Sequence, residues 1–259
     1  MWLLIRTLLP LSILISGCSP ASTDLLESAV KQAKFADNDP QHFEGRTPHR
    51  HDVHGIDVSK WNGAIDWIAV KRSGVAFAFI KATEGKDRLD PKFHTHWQGA
   101  TDADLPHAAY HFYYFCSSAA EQADWFIRNV PKEANLLPPV LDVEWNHTSP
   151  TCRHRPPPET VKHEMKVFMD RIEAHYGRRP IIYTSVDFHR DNLVGAFPDH
   201  HFWVRAVAQH PEVVYPDRNW TFWQYTSTGI VPGIDGETDI NVFAGSRQNW
   251  HSWVASVSR

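Results

Sequence analysis

The sequence predicts an α/β chain whose strands close into one (β/α) barrel. From Gly55 onward, short apolar runs alternate with amphipathic segments, the pattern of strands interleaved with helices. Seven or eight such runs fit within about 190 residues, slightly few for a regular barrel. Acidic, amide and phenol side chains recur where those runs end, and the carboxyl ends of barrel strands are where chemistry is done.

The elements follow in order. Gly55-Ile56-Asp57-Val58-Ser59 reads as the first strand and Ala64 to Ser73 as the first helix. Ala76 to Lys81 is almost continuously apolar, hence a strand covered on both faces, with a polar loop Ala82-Thr83-Glu84-Gly85 behind it. His107 to Phe115 is an aromatic-rich third strand, followed by a helix over Ser117 to Asn129. Pro138-Pro139 punctuate the entry to the run ending Asp142-Val143-Glu144-Trp145, the right length for a buried strand. The clearest helix spans Glu159 to Tyr176, where Val161, Met165, Phe168, Met169 and Ile172 share one stripe. Prolines stand before it, and Gly177 is in the position of a C-cap glycine. Pro180 to Thr184, Phe202 to Ala206, Thr221 to Tyr225 and Thr238 to Phe243 complete the strands, with no internal repeat.

Asp142 and Glu144 are two apart, so on a strand they point the same way. Paired carboxyls are costly to bury unless used, and each raises the other's pKa, so that one keeps its proton near neutral pH. Glycosidic bond cleavage requires that pairing. A bare Asp-x-Glu is common and most often ends in salt bridges, so the rest of the chain must decide. Asp57, Glu84, Tyr183, Gln224 and Asp239 join the pair at or just beyond predicted strand ends.

Net charge is −4 with a pI near 6.5, which offers nucleic acid no electrostatic attraction. The histidines are scattered, and the group His49, His51, His54 lies in a polar linker where no metal site is expected. Met1 to Gly17 has one charge, Arg6, and an apolar run too short to span a bilayer, as in a secretory signal. It ends Ile15-Ser16-Gly17-Cys18, which resembles a bacterial lipobox, with Cys18 as the lipidated residue and the membrane as a partner. Ser19 in the next position resembles lipoproteins sorted to the outer membrane, facing the periplasm. Cys116 and Cys152 remain as an even pair, a disulfide candidate in an oxidising compartment. Residues 18–54 read as a polar tether with a reach of roughly 30–35 Å, 55–245 as the barrel and 246–259 as a tail.

Seven segments in order resemble glycoside hydrolase family 25, the Chalaropsis-type lysozymes. They are Gly55 to Gly63, Lys81 to Gly85, Ala109-Tyr110-His111-Phe112, Asp142-Val143-Glu144, Tyr183-Thr184-Ser185, Trp223-Gln224-Tyr225 and Asp239 to Phe243. The resemblance implies a single-domain, irregular, flattened TIM-like barrel that cleaves the β-1,4 bond from N-acetylmuramic acid to N-acetylglucosamine in peptidoglycan. It places the acidic quartet on Asp57, Asp142, Glu144 and Asp239, a rim tyrosine on Tyr183 and a groove aromatic on Trp223; Glu84, Tyr110, Tyr113 and Gln224 are further expected substrate contacts. Glu144 would be the general acid and Asp142 the stabilising carboxylate, with no metal or organic cofactor and a monomer as the working unit. Attack on the sugar would come from Asp142 itself or, preferably, from the substrate's 2-acetamido oxygen. The chain departs from the family at His107-Ala108 and at Trp203-Val204-Arg205-Ala206-Val207. A non-catalytic peptidoglycan-binding lipoprotein is the alternative, against which the full quartet argues.

Overall fold

The computed structural model describes residues 34–43, 46–133 and 136–257, which belong to one compact unit. The expected signal segment, Cys18 and the first part of the tether lie outside the described residues. The strands are β1 (Ala36–Asp37), β2 (His54–Val58), β3 (Val75–Glu84), β4 (Arg88–Leu89), β5 (His107–Phe112), β6 (Val140–Val143), β7 (Ile181–Thr184), β8 (Phe202–Arg205), β9 (Phe222–Ile230) and β10 (Thr238–Phe243). Around them stand α1 (Trp67–Arg72), α2 (Phe93–Asp102), α3 (Ala119–Asn129), α4 (Pro158–Tyr176), α5 (Val186–Asn192), α6 (Pro211–Val214) and α7 (Arg247–Val257).

Eight strands close the barrel in the order β2, β3, β5, β6, β7, β8, β9, β10. Neighbours run parallel from β2 through to β9. β10 closes the ring antiparallel to both β9 and β2. Its reversed direction brings its first residues to the rim where the parallel strands end, so Asp239 pairs with Asp57.

Side-chain alternation sorts the strand residues into two cores. Ile56, Val58, Ala78, Ile80, Leu141, Val143, Ile182, Val204, Trp223 and Ile240 face outward into the layer beneath the helices. Phe77, Phe79, Val140, Ile181, Trp203, Phe222 and Phe243 fill the barrel interior. A Cβ on Gly55 would meet the Phe77 ring at 2.4 Å, so that inward position has room only for glycine. α3 begins with a capping box in which Ser118 and Glu121 satisfy one another's backbone. α4 starts on Pro158 and stops at Gly177, whose φ of 73° permits the left-handed cap. Its Phe168 stacks on the buried His111, which is clamped between Thr83 and Gln122.

Both ends of the barrel differ from expectation. Residues 34–43 and 46–54, read as tether, pack on the barrel wall. β1 pairs with Gly229 and Ile230 of β9, Phe43 meets Trp223 edge-on at 5.2 Å, and His49 and His54 both meet Tyr225. Burying Phe35 and Phe43 stabilises by about 1.5–3 kcal/mol each, enough to hold a short polar segment down. Residues 246–257, read as tail, form α7, which lays Trp250 and Trp253 across the amino-terminal mouth against Phe77, Phe222 and Phe243. Cys116 and Cys152 form a disulfide that ties the loop after β6 to the chain leaving β5.

Candidate active site

The opposite mouth holds an open cleft of about 290 Å³, and all four acids of the quartet line it. Asp57 arrives on β2, Asp142 on β6, Glu144 just past β6, and Asp239 on β10. Asp57, Asp142 and Asp239 occupy inward positions of their strands, and Glu144 continues that alternation past β6, the same parity that fills the barrel below with aromatic rings.

Asp57 is the most firmly held. Its Oδ2 accepts from Asn241 Nδ2 at 2.8 Å and from Gln224 Nε2 at 3.0 Å. Each amide is itself oriented: Trp203 Nε1 donates to Asn241 Oδ1, and the Tyr183 hydroxyl donates to Gln224 Oε1. Burial pushes the Asp57 carboxyl up to about 6, against the downward pull of those two amides and of Arg205. Burial and then the neighbouring Glu144 charge hold Asp142 well above the usual carboxylate range. Burial also raises Glu144, opposed by Arg205 and Lys81, and it raises Asp239, where Asp57 adds like charge. Asp142 Oδ1 is buried without a hydrogen-bond partner in the protein, a free acceptor at the cleft floor.

Of the remaining expected contacts, strand parity turns Tyr113 and Trp223 away from the cleft. Tyr110, Tyr183 and Gln224 line the cleft, and burial keeps both phenols protonated as donors. Glu84 does not reach the cleft. It accepts from Lys81 Nζ at 2.9 Å and from the Tyr114 hydroxyl, and it holds Lys81 over the Phe112 ring. Tyr113 faces outward, donating to Glu164, because it is one residue past the inward Phe112. Trp223 is fully buried beside Phe43 and donates to the Ala206 carbonyl, one residue off from the inward Gln224.

The cleft also contains residues not named among the expected substrate contacts. Lys81 and Arg205 are its cations. Trp61, on a short turn capped by Ser59, stands 84 % exposed at the lip with Lys60 Nζ 4.8 Å from its ring. Inward parity marks Lys81 and Arg205 in the sequence once their strands are placed. For Trp61 the signal is an aromatic directly after the Asp57 strand.

The chain as a whole has counterparts. The model of glycosyl hydrolases family 25 matches residues 56–234. Lysozyme M1 of Streptomyces globisporus is 36% identical over 202 residues, covering 75% of this chain and 68% of that protein. A family 25 glycosyl hydrolase from Bacillus anthracis superposes with a TM-score of 0.73 at 34% identity, over 84% of this chain and 98% of the other. A bacterial lysozyme from Streptomyces coelicolor does so with a TM-score of 0.68 at 33% identity, over 80% and 97%. With the quartet on one rim and the match running through most of the barrel, the chain belongs to glycosyl hydrolase family 25.

Proposed function

We propose that this glycoside hydrolase is a peptidoglycan muramidase that cleaves the β-1,4 bond between N-acetylmuramic acid and N-acetylglucosamine. The observation that carries the reading is the convergence of Asp57, Asp142, Glu144 and Asp239 on one open cleft beside exposed and half-buried aromatics. Glu144 protonates the leaving oxygen, as a buried carboxyl with a raised pKa can near neutrality. Asp142 lies deeper and competes with Glu144 for the cluster's proton. An acetamido N–H donated to the unpartnered Oδ1 stabilises the Asp142 anion and leaves the proton to Glu144. The acetamido oxygen then attacks the anomeric carbon as the glycosidic bond breaks, and Asp142 balances the oxazolinium charge. Water opens that intermediate, returning a proton to Glu144. Asp57, held by Gln224 and Asn241, positions the sugar together with Asp239.

Digestion of purified peptidoglycan followed by mass spectrometry tests the reading. New reducing N-acetylmuramic acid ends are expected, and Glu144→Gln is expected to lower their rate by about 10²–10⁴-fold. Wild-type turnover in that variant removes Glu144 from the role, and pull-down without new ends makes the protein a binder.

The Ile15 to Cys18 motif supports lipidation of Cys18, and Ser19 after it supports residence on the periplasmic face of the outer membrane. Cys18→Ala is expected to move the protein from the membrane to the soluble fraction. Unchanged fractionation refutes the anchor.

A further inference from the structure

Glu144 faces two spaces. On one side is the cleft. On the other is a second pocket of about 230 Å³, walled by Tyr113, Tyr114 and Phe115 and by the loop after β6. That loop has one sign of charge. From Trp145 to Pro157 the sequence carries His147, Arg153, His154 and Arg155 and no carboxylate, in a chain whose net charge is −4. All four basic residues line the pocket.

Arg155 is held in place there. Its guanidinium lies 4.9 Å over the Trp145 ring, and its Nη2 donates to His147 Nδ1 at 2.7 Å. For His147 to accept at Nδ1, its proton must be on Nε2, and Nε2 indeed lies 3.0 Å from Asp187 Oδ2. The Ser185 hydroxyl fixes the other oxygen of Asp187 at 2.6 Å, and Trp145 is pinned through its Nε1 to Asp191. A chain of oriented groups from α5 and its N-cap therefore aims an arginine whose other donors remain for a ligand. Arg153 reaches the same pocket with its Nε committed to the Ser149 carbonyl. The Cys116–Cys152 disulfide fastens the loop at its middle, and Cys152 lines the pocket.

We propose that this pocket is an anion subsite that binds a carboxylate on the side branch of the glycan lying in the cleft. A guanidinium held by stacking and one hydrogen bond suits a planar oxyanion. Because the pocket meets the cleft at Glu144, its ligand is attached to the chain being cut. Every second sugar of peptidoglycan carries a lactyl ether that ends in a carboxylate or continues into a stem peptide with carboxylates of its own. The inference rests on the muramidase reading for the glycan and on the loop for the anion.

The test compares KM on peptide-bearing strands, on strands stripped by an amidase so that lactyl carboxylates are free, and on both after conversion of their carboxyls to amides. For wild type, amidation is expected to raise KM by roughly 10-fold, the worth of one charge-assisted hydrogen bond. Arg155→Gln is expected to show the raised KM on native strands and no further rise on amidation, with Arg155→Lys between. The native form that carries the effect identifies the lactyl or the peptide carboxylate. Indifference of wild type to amidation, or an equal response in Arg155→Gln, overturns the subsite. Should no strand yield new ends, the muramidase reading fails. The pocket is then read by calorimetric titration with a soluble muramyl peptide, where equal binding by wild type and Arg155→Gln overturns it. Thermal melts of the variants separate loss of the subsite from loss of fold.

Discussion

At the scale of single residues, the site is a set of carboxyls kept where water would not leave them neutral. Asp57 has a folded-state pKa of about 6 against an ordinary 3.8. Below pH 4 it is protonated in both folded and unfolded chains and adds no penalty. As pH rises from about 4 to 6 the unfolded chain gives up that proton while the folded one still holds it, and stability is lost across that window. Asp57→Asn removes the titration while keeping an oxygen for Gln224 and Asn241. It is expected to be more stable than wild type at pH 7.5, by on the order of 2 kcal/mol, and to lose that advantage toward pH 4. Melting curves at the two pH values check this; a pH-independent difference would show that the burial cost is not electrostatic. Asp142 and Glu144 were legible as a pair because the strand period sets them on one face. The anchoring of Arg155 was not, since only the fold brings Asp187 and His147 into line behind it.

Among the elements, the strand period decides which aromatics meet the substrate. Trp223 and Gln224 are adjacent in β9, and only one can face the barrel axis; it is Gln224. Trp223→Ala is expected to cost about 3–5 kcal/mol by leaving a cavity between β9 and Phe43. Trp61→Ala, at the exposed lip, is expected to leave the denaturation midpoint unchanged and to raise KM several-fold through lost stacking. Urea titration and initial rates distinguish them, and a Trp61 variant with unaltered KM removes it from the sugar path. α4 was legible because a long apolar stripe, a proline start and a glycine stop agree. α7 carries Trp250, Trp253, Val254 and Val257 at helical spacing, a stripe too short and too flanked by polar residues to stand out from a tail. The barrel mouth it covers supplies the reason it folds. β1 is two residues long, and no periodicity exists at that length.

For the whole molecule, catalysis and stability are assigned to opposite mouths. One mouth is closed by α7 and its indoles; the other is left open and lined with acids. The loop carrying the basic pocket has little core of its own, so the Cys116–Cys152 bond, which closes a loop of sequence separation 36, supplies part of its order. Replacing both cysteines by serine is expected to lower stability by about 3–4 kcal/mol on the chain-entropy account. Guanidinium unfolding of the variant beside wild type measures it, and an unchanged midpoint would show that the loop is held by packing alone. Closure itself depends on β10 running against its neighbours, which returns Asp239 to the rim beside Asp57.

Periodicity, proline and glycine punctuation and the placing of acids at strand ends determine the alternating architecture, the fold class and the quartet, because these are local properties of a chain that must bury one face of each element. Parity around a closed ring, the direction of β10, the docking of residues 34–43 and 46–54 and the hydrogen-bond line behind Arg155 belong to the tertiary structure alone. Each depends on groups far apart in sequence, and no local pattern encodes which distant surface a side chain will meet.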